Sequence, residues 1–125
     1  MEEIRKENEK YLAVFQEYLE SYGMSRPLIE RHISNVDGYL NDYLADQFER
    51  EMKNSVRDLE PYIKTVYYEM EGTDVDALEK FIKSLNYFYR CMHDRGLMSS
   101  QMYSLYEWLV KSNQKEWKEK MSSKR

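Results

Sequence analysis

The sequence predicts an all-α protein, a single-domain bundle of about five helices. Three observations lead there. The chain of 125 residues has only 4 Gly and 2 Pro, too few turn formers for many short strands. Apolar residues recur three and four positions apart along most of the chain, the spacing that lines one face of a helix. There is no alternating run of β-branched residues and no Asn-Gly turn between apolar segments. A chain of this length buries about two thirds of its unfolded surface in one core without covalent staples.

The first helix is expected from about Glu3 to Tyr22, with Tyr11, Leu12, Phe15, Tyr18, Leu19 and Tyr22 inward and Gly23 as its stop. Met24-Ser25-Arg26-Pro27 opens the second. Ser25 is placed to accept a hydrogen bond from an early backbone N–H, and Pro27 falls where a missing donor costs nothing. Leu28, Ile29, Ile33, Val36, Leu40, Tyr43 and Leu44 form its apolar face, with Phe48 as a possible last member. Gly38 lies inside this pattern, and a helical glycine costs about 1 kcal/mol relative to alanine. A helix that continues through Gly38, with room for a bend, is expected.

Glu49 to Asn54 is charged and aperiodic, a connection or frayed helix. The third helix is expected from near Ser55 to about Met70, with Val56, Leu59, Ile63, Val66, Tyr67 and Met70 inward. Pro61 falls in its first turns and Gly72 follows its end. The fourth helix, in the stretch Val75 to Met98, has the clearest pattern of all. Leu78, Phe81, Ile82, Leu85, Phe88, Tyr89 and Met92 share one face, and Lys80, Lys83, Tyr87 and Arg90 fall on the other. Asp74 stands where an N-cap is wanted, with Thr73 as a second candidate. Gly96 supplies a left-handed residue after the last turn, and Leu97 can fold back on the helix end. Ser99-Ser100 caps the fifth helix, which carries Met102, Tyr103, Tyr106, Leu109, Val110 and Trp117. The chain is expected to fray beyond Trp117, so that residues 1–118 form the domain and 119–125 a basic tail.

The net charge of −4 hides an asymmetry. Met1 to Glu79 holds 19 acids and 9 bases, whereas Lys80 to Arg125 holds 4 acids and 10 bases. The halves therefore carry opposite fields, and the basic half leaves local nucleic-acid binding open despite the acidic average. The single cysteine, Cys91, excludes an internal disulfide and fits a reducing cytoplasm. The longest uncharged run, Gly96 to Tyr106, is far short of a bilayer span of about 20 residues. The N-terminus MEEIRKENEK is too charged for a signal peptide, so a cytoplasmic protein with no membrane partner is expected.

No catalytic constellation is legible. His32 and His93 lie on different predicted helices, and a metal site needs three or four convergent ligands. Neither H-E-x-x-H, nor a cysteine pair, nor a phosphate-cradling glycine loop occurs. Structural roles are expected for both histidines, partly exposed for His93. Cys91 adjoins Arg90, which can lower a thiol pKa, but a small half-buried side chain beside the core seam is the expected role. No cofactor or metal is implied. Above this background stands the stripe Lys80, Lys83, Tyr87 and Arg90, with Arg26, Arg31 and His32 near the start of the second helix. Basic residues with an interleaved aromatic can grip a phosphate backbone. The alternative for the same residues is a solvated face, or one paired with the acidic half.

Two stretches also carry a family resemblance. YLAVFQEYLESYGMSRPLIERHISNVDGYLNDYL resembles the opening of the core-binding domain of phage-integrase-type tyrosine recombinases: a helix, a Gly-hydrophobic-Ser break, and a second helix ending in aromatic and leucine residues. LEKFIKSLNYFYRCMHDRGLM is similar to the later helix of that family, with its leucine-rich seam, Phe-Tyr pair and following glycine. The resemblance spans roughly Tyr11 to Leu109. It implies a SAM-like helical domain that grips duplex DNA as half of a clamp, mainly through its second and fourth helices. Carried over residue by residue, it points to Ser25, Arg26 and Arg31, and to Lys80, Lys83, Tyr87 and Arg90. Where the family commonly has a threonine before the first apolar residue of the second helix, this chain has Pro27-Leu28. Recombinase chemistry belongs to a second domain, and no His-x-x-Arg occurs here. The resemblance therefore implies a non-catalytic DNA-binding module. The other open reading is a protein-interaction or self-associating helical module, suited by the opposed charges and by 12 Tyr and 8 Met.

Overall fold

The organising element is the helix with the clearest apolar pattern, and its neighbours are arranged around it. A computed structural model describes residues 2–124; Met1 and Arg125 lie outside them. Five helices follow in order: α1 (Glu2–Ser21), α2 (26–48), α3 (52–67), α4 (Val75–Asp94) and α5 (Ser100–Ser122). There is no strand among the described residues. α4 packs against α1, α2 and α5, and α5 also touches the start of α3. All seven apolar residues of the α4 seam are buried, joined by Ser84 and Cys91.

The ends of α4 follow from its sequence. Asp74 is extended, and its carboxylate accepts the Ala77 N–H at 2.8 Å. Thr73 is not the cap: its hydroxyl donates to the Tyr67 carbonyl at the end of the preceding helix and to the Met70 carbonyl just beyond it. At the other end Gly96 takes φ +72°. The Leu97 N–H reaches back to the Met92 carbonyl at 2.8 Å, and the Gly96 N–H to His93 at 3.1 Å. These paired bonds satisfy carbonyls that would otherwise lack partners.

α2 runs through Gly38, which is right-handed helical (φ −57°). Its helical type changes there. Gly38–Ala45 is a π-helix flanked by α-helical Arg26–Asp37 and Asp46–Phe48. The wider turn rotates successive residues less, so runs of three reach the core together: Tyr39, Leu40 and Asn41, then Tyr43, Leu44 and Ala45, are all buried. A methyl group at Gly38 would meet nothing within 4 Å. Gly38→Ala is therefore expected to raise stability by about 1 kcal/mol, read as a higher urea midpoint at unchanged slope.

Three expectations are corrected. The Ser25 hydroxyl makes no capping bond, although its backbone has the extended N-cap shape. Pro27 removes one of the two N–H groups such an oxygen reaches. The third helix starts at Met52 as a 3-10 segment, becomes α at Leu59–Tyr62 and ends as a π turn at Tyr67. Met70 lies beyond that end and is exposed, as are Tyr22 and Phe48 at the ends of α1 and α2.

The third correction concerns the C-terminus. α5 does not fray at Trp117 but runs to Ser122, with Trp117 fully buried and Met121 buried one turn later. Beyond it the Lys124 ammonium donates to the Tyr67, Met70 and Thr73 carbonyls at 2.6, 2.5 and 3.1 Å, and to the Thr73 hydroxyl. A positive charge is thus held against the carbonyl end of α3, where the helix dipole favours it. The part of the predicted tail that is described therefore belongs to the domain.

The core is built largely of rings. Tyr62 centres one cluster, its ring 4.7 Å from both Tyr39 and Tyr43 and 5.3 Å from Phe81. A second chain runs Phe15–Phe88–Tyr89–Tyr106 and joins α1, α4 and α5. The most deeply buried hydroxyls find partners. Tyr39 donates to the Ser55 carbonyl, and Tyr89 shares a hydrogen bond with the Ser55 hydroxyl, both at 2.5 Å.

Candidate nucleic-acid interface

Beneath the basic stripe lies a polar seam between α2 and α4. The Ser84 hydroxyl donates to the Lys80 carbonyl one turn back at 3.0 Å. With its hydrogen so placed, it accepts from the Asn35 amide at 3.0 Å and from His32 Nδ1 at 2.7 Å. This arrangement assigns the proton of the neutral ring to Nδ1. Nε2 is buried with no partner, and the ring is 2% exposed. Burial holds the imidazole pKa below its ordinary value, and the nearby Arg31 and Lys83 charges push the same way. His32 is therefore a neutral brace inside the seam and takes no place in the basic surface.

This makes the fold sensitive to mild acid. The folded state binds this proton less readily than the unfolded chain, which accepts it near pH 6.5. Stability is thus complete above that pH and falls as the pH drops below it, by up to about 1.4 kcal/mol per pH unit. Urea unfolding of the protein and of His32→Gln across this range is the check. The glutamine variant is expected to lose that part of the slope.

Lys83, Tyr87 and Arg90 lie on the outer side of α4 above this seam, with about 10 Å of helix rise from the first to the last. Lys83 and Arg90 are exposed. Among the described residues neither they nor Arg31 has a carboxylate partner. Tyr87 is half-buried, its ring edge-on to His32 at 5.2 Å and to Tyr22 at 6.0 Å. With Asn86 these three line a depression of about 240 Å³. Arg90 also sits among phenols: Tyr103 first, with Tyr18 and Tyr22, raises its pKa above the ordinary value, so its charge is permanent.

The other predicted residues are placed differently. Lys80 is held by Asp76 at 2.9 Å on its own helix. Arg26 pairs with Glu30 at 3.5 Å and lines a separate depression toward α1, beside Glu20. Ser25 is exposed just before it. The structure thus gathers Lys83, Tyr87, Arg90 and Arg31 about one seam and leaves Ser25, Arg26 and Lys80 at its margins.

Two neighbours were not legible from spacing along one helix. Tyr103 and Lys111 of α5 face Asn86 and Arg90 across a second depression of about 390 Å³, which Glu107 also lines. Elsewhere, Cys91 is fully buried rather than half-buried, and burial pushes its thiol up to about 11, away from reactivity. His93 stacks on Tyr103 at 4.5 Å, with Nε2 3.2 Å from the Ser100 hydroxyl. Among the described residues no cluster of three or more His, Cys, Asp or Glu is arranged to hold a metal. No described helix is long and apolar enough to cross a membrane.

No protein-family profile, curated protein or solved structure matches this chain. Its likeness to the recombinase core-binding domain rests on the sequence stretches quoted above.

Proposed function

We propose that this chain is a non-catalytic DNA-binding domain that holds duplex phosphates against α2 and α4. The observation that carries the reading is the set Lys83, Arg90 and Arg31, cations without carboxylate partners about a single seam, with Tyr87 between two of them. Such cations are best neutralised by an anion whose charges repeat along a line, as in a phosphate backbone. The helix that bears two of them is fixed by its caps and its buried face, so the spacing is set before DNA arrives. Phosphate contacts fix register and orientation without reading bases, so weak sequence preference follows. The likeness to the recombinase domain points to the same helices.

A titration of isotope-labelled protein with duplex DNA tests this reading. Amide shifts are expected around Arg31, Lys83, Tyr87 and Arg90, and not along the acidic outer face of α1. Shifts confined to α1, or none at all, overturn it.

A second reading, self-association, is favoured by the opposed charges of the two halves. It predicts a dimer that dissociates with salt in sedimentation without nucleic acid. A monomer at every salt concentration removes it.

A further inference from the structure

The most exposed large apolar side chain on this surface is Trp108 of α5, at 62%. Its ring lies outside the core cluster. The residues sharing its helix face at three-, four- and seven-residue spacing are Gln101, Ser104, Lys111, Ser112 and Lys115, all exposed, and Leu105, half-buried against the core; none is acidic. This is not a continuous apolar patch of the kind that docks on another protein. It is one flat aromatic face among cations and small polar groups.

Along α5, Trp108 stands one turn from the interface. Lys111, one turn on, lines the depression that Arg90 and Tyr103 share, and Arg90 and Asn86 line the next depression with Lys83 and Tyr87. At the far side Tyr22, 53% exposed, lies edge-on against Tyr87. From Tyr22 to Trp108 the surface thus runs aromatic, cation, aromatic. In a duplex the base faces are covered by one another, and an exposed indole has nothing to stack on. In a single strand they are free, and each stacked base contributes about 1–3 kcal/mol.

We propose that the surface from Tyr22 through Tyr87 and Arg90 to Lys111 and Trp108 takes single-stranded nucleic acid, with phosphates on the cations and an unpaired base on Trp108. This rests on the nucleic-acid reading above and names the form of nucleic acid preferred. Glu107 is the one acid lining the path, and Glu107→Gln tightens binding on this account.

The protein carries its own probe, since its second tryptophan, Trp117, is fully buried. Tryptophan emission is followed while an oligothymidine strand of about 12 nucleotides, or a duplex of equal length, is added. The single strand is expected to quench the emission and to bind about tenfold more tightly than the duplex. Trp108→Ala loses about tenfold in affinity for the strand, and Trp108→Phe recovers part of it. Both variants keep the helical circular dichroism. Duplex binding that equals or exceeds single-strand binding, with emission unchanged, overturns this inference and leaves the proposed function standing. Single-strand binding untouched by Trp108→Ala also overturns it. Binding of neither form removes the nucleic-acid reading itself and turns attention to a protein ligand.

Discussion

Trp117→Ala is expected to lower the free energy of unfolding by about 3–5 kcal/mol, the loss typical of a large buried ring. Trp117 is fully buried near the end of α5, with Met121 buried one turn on and Lys124 fastened to the end of α3. Removing the indole opens a cavity among these contacts and loosens the joint between the two ends. The indole N–H has no hydrogen-bond partner, so no hydrogen bond is lost with the ring, and removal of the unpaired donor offsets part of the cavity cost. Urea unfolding measures the effect, and Trp108→Ala is the control, expected within about 0.5 kcal/mol of the parent because its ring is solvated. A frayed segment gives the opposite pattern, with Trp117→Ala as harmless as the control.

The double reversal Lys83→Glu with Arg90→Glu is expected to abolish duplex binding and leave the fold intact. Each cation that meets a phosphate releases about one counterion, so losing two lowers the salt slope by about two. The new carboxylates then repel the backbone they replaced cations to meet. Both side chains are exposed and without carboxylate partners, so the unfolding free energy should move by less than about 0.5 kcal/mol for each. Binding that survives in a folded double variant removes the site assignment.

How far the sequence disclosed the fold depends on which forces set each element. α4 was fully legible because local chemistry and tertiary demand agree there: Asp74 caps, the apolar spacing is unbroken, and Gly96 stops it. Ala45 was not. An α-helical period sets Tyr39 with Val36, Leu40, Tyr43 and Leu44, a stripe in which Tyr39 was passed over, but it turns Asn41 and Ala45 away, and the π segment buries both. The start of α3 was obscured for a like reason, since its first seven residues form a 3-10 helix with another period. At the C-terminus, Val110, Trp117 and Met121 kept helical spacing, but lysines around them suggested solvent. That signal was present and was outweighed by charge.

For the candidate site, the outer face of α4 was legible because one helix supplies Lys83, Tyr87 and Arg90 at fixed spacing. Spacing offers the i,i+4 pairs Asp76–Lys80 and Arg26–Glu30, and it offers Glu79 to Lys83 equally. It does not tell that Glu79 turns to Lys118 of α5 and leaves Lys83 without a carboxylate partner among the described residues. Nor does it show that His32 turns inward to Ser84, or that Tyr103 and Lys111 arrive from α5. Those relations exist only between helices.

The most direct test of the central claim is fluorescence anisotropy of a labelled duplex of about 20 base pairs, titrated with the protein at about 50 and 200 mM salt. The account predicts binding at low salt that weakens steeply at the higher, as counterions return to the phosphates. No binding at low salt, or binding indifferent to salt, contradicts it.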